Sequence, residues 1–213
     1  MGFVSAHWGD IVHRALLHAW LAGLPLLIGL LISLPVGWLA QRSRVLRPLL
    51  VVGSGLLYTI PSLALFILMP LIVGTKILDP VNVIIAMTVY TIALLVRSVA
   101  DALASVPTEV RQAATAMGYT PARRFLSVDL PLAVPVLAAG LRVAAVSNVS
   151  IVSVASLIGI SQLGFYLTDG YERTYNTEIG VGIVGCIVLA MIFDLVIVLL
   201  ARVLTPWQRV SAA

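Results

Sequence analysis

Three stretches of this chain, residues 15–41, 48–75 and 80–96, carry no charged side chain over 27, 28 and 17 positions. Two more come close: 130–168 is interrupted only by Arg142, and 179–201 only by Asp194. A helix needs about 20 apolar residues to cross the hydrocarbon core of a bilayer. Runs of this length, in a chain that is 61% hydrophobic and 10% charged, exclude a water-soluble fold. The expected fold class is therefore all-α membrane, with five transmembrane helices at about 18–40, 49–74, 81–101, 130–156 and 179–203. They form a single domain over 1–213 with its core at 18–204, since no linker composition and no internal repeat divides the chain. The first run lacks a basic flank before it and is longer than the apolar part of a secretion signal, so it reads as a retained span.

Five spans put the two ends on opposite sides, and arginine placement chooses between them. With the N-terminus outside, the inner segments hold Arg42, Arg44, Arg47, Arg111, Arg123, Arg124, Arg202 and Arg209, against Arg14, Lys76 and Arg173 outside. The expectation is N-out, C-in. The formal net charge of +4 is spread between apolar runs rather than gathered in a stripe, so nucleic acid is not an expected partner. The single cysteine, Cys186, lies in an apolar run and supports neither a disulfide framework nor a cysteine zinc site.

Within the spans, Pro25, Pro35, Pro61, Pro70 and Pro135 interrupt what is otherwise helical sequence. They read either as ordinary kinks or as broken helices, which a membrane tolerates where neighbouring protein or a cavity satisfies the freed backbone. Arg142 and Asp194 are the most informative of the charges inside spans. Counted at about 1.5 Å per residue, they stand roughly 17 Å and 12 Å above the inner boundary. At those depths they can pair as a clamp between the fourth and fifth spans, or Arg142 can line a path. Arg97 and Asp101, four apart, read as a local pair. His7, His13 and His18 do not share one helix face, so they read as interfacial residues and no metal is expected. No Gly-Lys pair exists for a phosphate-binding loop, and neither H-E-x-x-H nor G-x-S-x-G is present. No catalytic residue and no bound cofactor is expected on this chain.

The most charged stretch is 101–129, far longer than a helix connection needs. Thr108 reads as the N-cap of a short helix that presents Val110, Ala113, Ala114 and Met117 on one face, and Gly118 stops it. Thr120-Pro121 opens a second short helix with Arg123 and Arg124. The order Gln112-Ala113-Ala114, three residues, Gly118, nine residues, Val128-Asp129-Leu130-Pro131 resembles the cytoplasmic signature E-A-A-x3-G-x9-I-x-L-P of ABC importer permeases, the inner-membrane subunits of binding-protein-dependent transport. Gln112 and Val128 depart from the pattern, so any ion pair of the usual glutamate does not carry over.

The resemblance implies a type I ABC importer permease fold of the five-span kind, with 107–131 as a coupling segment between helices 3 and 4. Arg111, Gln112, Ala113, Ala114, Gly118, Arg123 and Arg124 would meet the ATPase, and the three arginines can pair with its acids or with lipid phosphates. It also implies two ATPase subunits carrying ATP and magnesium, a second permease subunit, identical or similar, an extracytoplasmic substrate-binding protein, and a place in the bacterial plasma membrane. Residues 58–66, 96–103 and 147–164 are similar to permeases for glycine betaine, carnitine and choline. An amino-acid cargo such as methionine is the alternative, and a small ion channel a more distant one. Candidate path residues are Tyr58, Pro61, Phe66, Tyr90 and Asn148, with helix packing as the other role open to each aromatic. The outer connection 157–178 reads as an outer gate and docking surface, or as a plain solvated loop.

Overall fold

The computed structural model describes residues 2–43 and 45–209. Arg44, assigned to the inner face above, lies outside the described residues, as do the side chains of Arg42 and Arg209. Ten α-helices follow in order: α1 Gly2–Ala6, α2 Trp8–Arg42, α3 Leu46–Tyr58, α4 Ser62–Val73, α5 Pro80–Ala104, α6 Thr108–Ala116, α7 Pro121–Arg124, α8 Leu130–Ser153, α9 Phe165–Glu172 and α10 Asn176–Leu204. No strand occurs among the described residues. Four helical stretches are long and apolar enough to cross a membrane, and the pair α3 and α4 makes a fifth if its 99° bend is one broken span.

Two spans differ from the sequence expectation. The first spanning helix, α2, begins at Trp8 rather than near residue 18. A charge marks where a helix leaves hydrocarbon, not where it ends: Asp10 and Arg14 pair at 2.7 Å across one turn, and Ile11 and Ala15 pack on the core. The second span is broken in two. Pro61 has no N–H to donate and disfavours helical geometry in the residue before it, so the chain leaves α3 at Thr59 and restarts at Ser62 with Pro61 extended at φ −61° and ψ 130°. Pro25, Pro35, Pro70 and Pro135 all remain inside helices.

α5 is the central element, and α2 and α8 pack along it. Small residues permit the approach to α2. A Cβ at Gly37 would stand 2.5 Å from Val99 Cγ1, and one at Gly29 would collide with Thr91. The upper core gathers Phe66, Met87, Tyr90, Val149, Val152 and Leu163. The lower core joins Val99, Leu103, Val106 and Ala133 with Trp38 and Phe125.

Buried polar groups pin the helices to one another. Asn148 Nδ2 donates to Ala22 O at 3.2 Å and to Thr91 Oγ1 at 2.9 Å, while Thr91 donates to Met87 O at 2.7 Å. His18, expected at the interface, is fully buried, with its Nε2 2.9 Å from Val149 O. Gln162 Nε2 donates to Val152 O and Ser153 O, holding the connection 157–178 against the end of α8.

Candidate functional site

The coupling segment is built on its own base. Val106 and Ala114 are buried, Phe125 lies 5.2 Å from Trp38 at the end of α2, and Arg111 donates to Leu103 O at the end of α5. Pro107 is the N-cap of α6 and Thr108 its first residue, with no side-chain cap bond. This corrects the N-cap role expected of Thr108. Pro107, extended at ψ 138°, supplies the entry geometry itself. Gly118 takes φ +81°, the left-handed conformation that costs a residue with a Cβ about 1–2 kcal/mol. Thr120 caps α7 by accepting from Arg123 N at 3.4 Å.

Of the three arginines expected to meet the ATPase, two are also held within this chain by Asp129. Its carboxylate is buried between two of them, with Arg111 Nε 3.5 Å from Oδ1 and Arg124 Nε 3.4 Å from Oδ2. Arg124 also donates to Thr115 Oγ1 at 3.0 Å. One acid thereby joins α6, α7 and the start of α8. Arg123 remains exposed, with its guanidinium 4.8 Å above the Tyr119 ring. Of the two alanines expected to permit close docking, Ala114 is spent on the chain's own base and Ala113 is exposed beside Gln112, Ala116 and Met117. Next to that small-residue face lies a cavity of about 420 Å³ lined by Thr108, Arg111, Gln112, Thr115, Ala116 and Arg124.

Sequence reasoning missed Asp129 as a hub. Its partners lie 5 and 18 positions upstream: Arg124 reaches it along the same helical run, whereas Arg111 is brought to it by the turn at Gly118.

The candidate path residues divide. Tyr58 and Pro61 are exposed at the bend between α3 and α4. Phe66, Tyr90 and Asn148 are at most 2% exposed. The last three therefore do not line an open surface of this chain, because α5 lies at the centre of the bundle and their side chains point into its packing. Tyr90 still serves the bend. Its hydroxyl donates to Ile60 O, satisfying one carbonyl freed by Pro61, and its ring meets Tyr58 edge-on at 5.6 Å.

Arg142 on α8 and Asp194 on α10 form a two-bond ion pair, Nε to Oδ1 at 2.5 Å and Nη2 to Oδ2 at 3.0 Å. At the end of the bundle that carries the coupling segment, Asp101 lies 3.8 Å from Arg97 and, in addition, 3.6 Å from Arg47. No group of three or more metal-ligating side chains occurs among the described residues.

At the opposite end of the bundle, α9 lies within the connection 157–178 expected to be gate or loop. Tyr166 donates to Asp10 Oδ2 at 2.6 Å, and Arg14 reaches Ser161 Oγ at 2.5 Å while lying 3.8 Å over the Phe165 ring. Burial, followed by the bond to the Asp10 carboxylate, pushes the Tyr166 phenol well above its ordinary range. The connection is thus a folded element tied to α2. Asp10 and Arg14 show as an i, i+4 pair in the sequence, but nothing there points to Tyr166.

Comparison with known proteins places this arrangement. Residues 26–210 match the family described as Binding-protein-dependent transport system inner membrane component. The osmoprotectant import permease protein OsmW of Salmonella typhimurium is 33% identical over 192 residues, 89% of each chain. The glycine betaine/carnitine/choline transport system permease protein OpuCD of Bacillus subtilis is 28% identical, over 97% of this chain and 90% of its own length. Among solved structures, the inward-facing MetNI methionine ABC transporter superposes with a TM-score of 0.78 at 23% identity, covering 92% of this chain and 96% of that one. At that identity the likeness speaks for the fold.

Proposed function

The chain belongs to the family of inner-membrane components of binding-protein-dependent transport systems, and from that premise we propose that it is one permease half of an ABC importer for small quaternary ammonium osmoprotectants of the glycine betaine, carnitine and choline type. The observation that carries the transport role is the coupling segment. Its signature spacing falls on two short helices turned by Gly118 at φ +81° and anchored on the ends of α2, α5 and α8. The named cargo of the relatives supports the substrate class.

In this reading the chain supplies the path and a docking foot, and no ATP chemistry. Two ATPase subunits hydrolyse ATP, a binding protein delivers cargo from outside, and a second permease, identical or similar, completes the path, because five spans are too few to alternate access around an organic solute. The foot is stiff where it must be. Asp129 joins α6 to α8, so a displacement of the exposed Gln112–Ala113–Met117 face is transmitted to the spans rather than lost in a flexible loop. Closure of the ATPases would then rock the two halves about a central site.

The chain is oriented N-out and C-in, which places the coupling segment beside the ATPases. Because Cys186 is the single cysteine, Cys186→Ser with a cysteine at Met117 and, separately, at Thr174 maps the two faces. An impermeant thiol reagent added to intact cells should label only the second.

The decisive assay is uptake of labelled glycine betaine, choline, carnitine and methionine in cells lacking the chain, with and without salt stress. The quaternary ammonium solutes should lose uptake, and restoration should require the chain. Loss of methionine uptake alone would reverse the cargo assignment. Gly118→Val should abolish both ATPase co-purification and uptake, and persistence of both would refute the docking role.

A further inference from the structure

The ion pair between Arg142 and Asp194 is placed where a merely structural pair is not expected. Arg142 stands twelve residues into α8, about 18 Å from its inner end, and Asp194 stands ten residues before the end of α10, about 15 Å. Both depths are close to the middle of a hydrocarbon core about 30 Å thick. Yet the two side chains are 46% and 33% exposed. Charged groups at that depth face a water-filled cavity or other protein, not lipid.

Asp194 borders a groove of about 810 Å³ whose other walls are apolar, among them Val146, Ile187, Met191 and Leu195. Among the described residues, Asp194 is the only charged one lining it.

This combination matches a particular ligand chemistry. A trimethylammonium group has no N–H to donate, so it needs negative charge and apolar contact rather than directed hydrogen bonds. A carboxylate set in a wall of Val, Ile, Met and Leu offers both. A zwitterion of this class also carries a carboxylate, and a guanidinium fork is the protein group that best matches one.

We propose that Arg142 and Asp194 form a transit site for zwitterionic quaternary ammonium solutes, in which the protein ion pair opens and each member exchanges its partner for the opposite end of the cargo. The site rests on the cargo class argued above. Both protein charges are compensated whether the groove is empty or filled, and the protein's own pair competes with the cargo. The solute is therefore held weakly enough to leave, as a conduction path requires. The site also has a selectivity. Glycine betaine or carnitine satisfies both protein charges, whereas choline, which has no carboxylate, leaves Arg142 without a partner.

The test uses the complete transporter, permease with its ATPase and binding protein, reconstituted in liposomes. Uptake of glycine betaine and choline is measured side by side for wild type, Arg142→Gln and R142Q/D194N. The binding protein is unchanged across the series, so its own preference cancels when variant is divided by wild type. Arg142→Gln is expected to lower the glycine betaine to choline ratio of kcat/KM by at least tenfold, since Asp194 is freed to take a cation while the carboxylate loses its fork. R142Q/D194N is expected to co-purify with the ATPase at wild-type stoichiometry and to lose glycine betaine uptake by at least tenfold.

An unchanged ratio in an assembled Arg142→Gln transporter overturns the proposal. Should Arg142→Gln fail to assemble, the double variant decides. Failure of the double variant to assemble marks the pair as a structural clamp or a contact with the second permease, and unchanged glycine betaine uptake by it marks the groove as a lipid-filled surface. Both results overturn the transit site while leaving the cargo class intact. If the wild-type transporter carries neither solute, the cargo class itself fails and the site falls with it.

Discussion

Replacing Asp129 by Asn removes the charge that holds the coupling segment together while keeping the shape of the side chain. The two guanidinium contacts, at 3.5 and 3.4 Å, are each worth about 4.8 kcal/mol of gross attraction at an effective dielectric of 20. Most of that is offset by the desolvation of the groups involved, and removing one partner of a fully buried pair costs about 3–5 kcal/mol. The arginines here are 24% and 27% exposed and the acid 6%, so water screens the loss and an expected cost is about 2–3 kcal/mol, borne locally by α6 and α7. Local opening of that size accelerates amide exchange by about 30- to 150-fold, at 1.36 kcal/mol per factor of ten. The assay is hydrogen exchange on the purified transporter, peptide by peptide. Peptides covering 108–124 should exchange faster by that factor while those of α5 and α10 do not change. Substrate-stimulated ATPase activity should fall, with the basal rate kept. Asp129→Glu, which retains the charge, should recover part of the protection. Unchanged protection over 108–124 in Asp129→Asn would refute the view that this acid stiffens the segment.

Other expectations follow from the packing. Gly37→Leu places a branched side chain where even a Cβ would come within 2.5 Å of Val99. It should cost at least the 1–3 kcal/mol of ordinary overpacking and appear as a lower yield of assembled complex and a lower melting temperature. Asn148→Ala removes two donors from the middle of the bundle. Hydrogen bonds between membrane helices average about 0.6 kcal/mol and reach about 2 kcal/mol, so a melting shift within that range is expected, with uptake retained because the side chain is buried in this chain's own packing. Tyr166→Phe deletes the bond to Asp10 and should cost about 1 kcal/mol. Since the folded phenol is held above its ordinary pKa, the wild-type contribution is full below the unfolded phenol's pKa, near 10, and is lost as pH rises beyond it. An alkaline stability scan should therefore fall more steeply for wild type than for Tyr166→Phe, and parallel curves would argue against the assigned bond.

Much of the architecture was legible because hydrocarbon enforces a simple code. An apolar run of some twenty residues has few alternatives to a helix, and a charge inside such a run must find a partner or a cavity. The five runs and the two intramembrane charges follow from that code, whereas the spacing around Gly118 was legible through its resemblance to a known family's signature. Where the reading of the sequence erred, it treated a local feature as a boundary. Arg14 looked like the edge of a span, yet it sits within a helix that begins at Trp8 and pairs with Asp10 inside it. Pro61 and Pro70 look alike in the sequence, but one breaks its span by 99° and the other is carried inside α4. The difference lies in the neighbourhood: a partner on another helix, the Tyr90 hydroxyl, takes up a carbonyl freed at the Pro61 break.

The sequence by itself determined that this chain enters a membrane as helices, where its charged signature segment lies and which two charges must be reconciled within the bilayer. Those are one-dimensional quantities: length, periodicity and spacing. Only the tertiary structure decided that Asp129 gathers two arginines, that Phe66, Tyr90 and Asn148 are closed off in the core, and that the pair between Arg142 and Asp194 remains half open beside an apolar groove. Each of these depends on residues brought together from separate helices, and burial is set by which helix lies opposite, a relation that pattern along one chain does not encode.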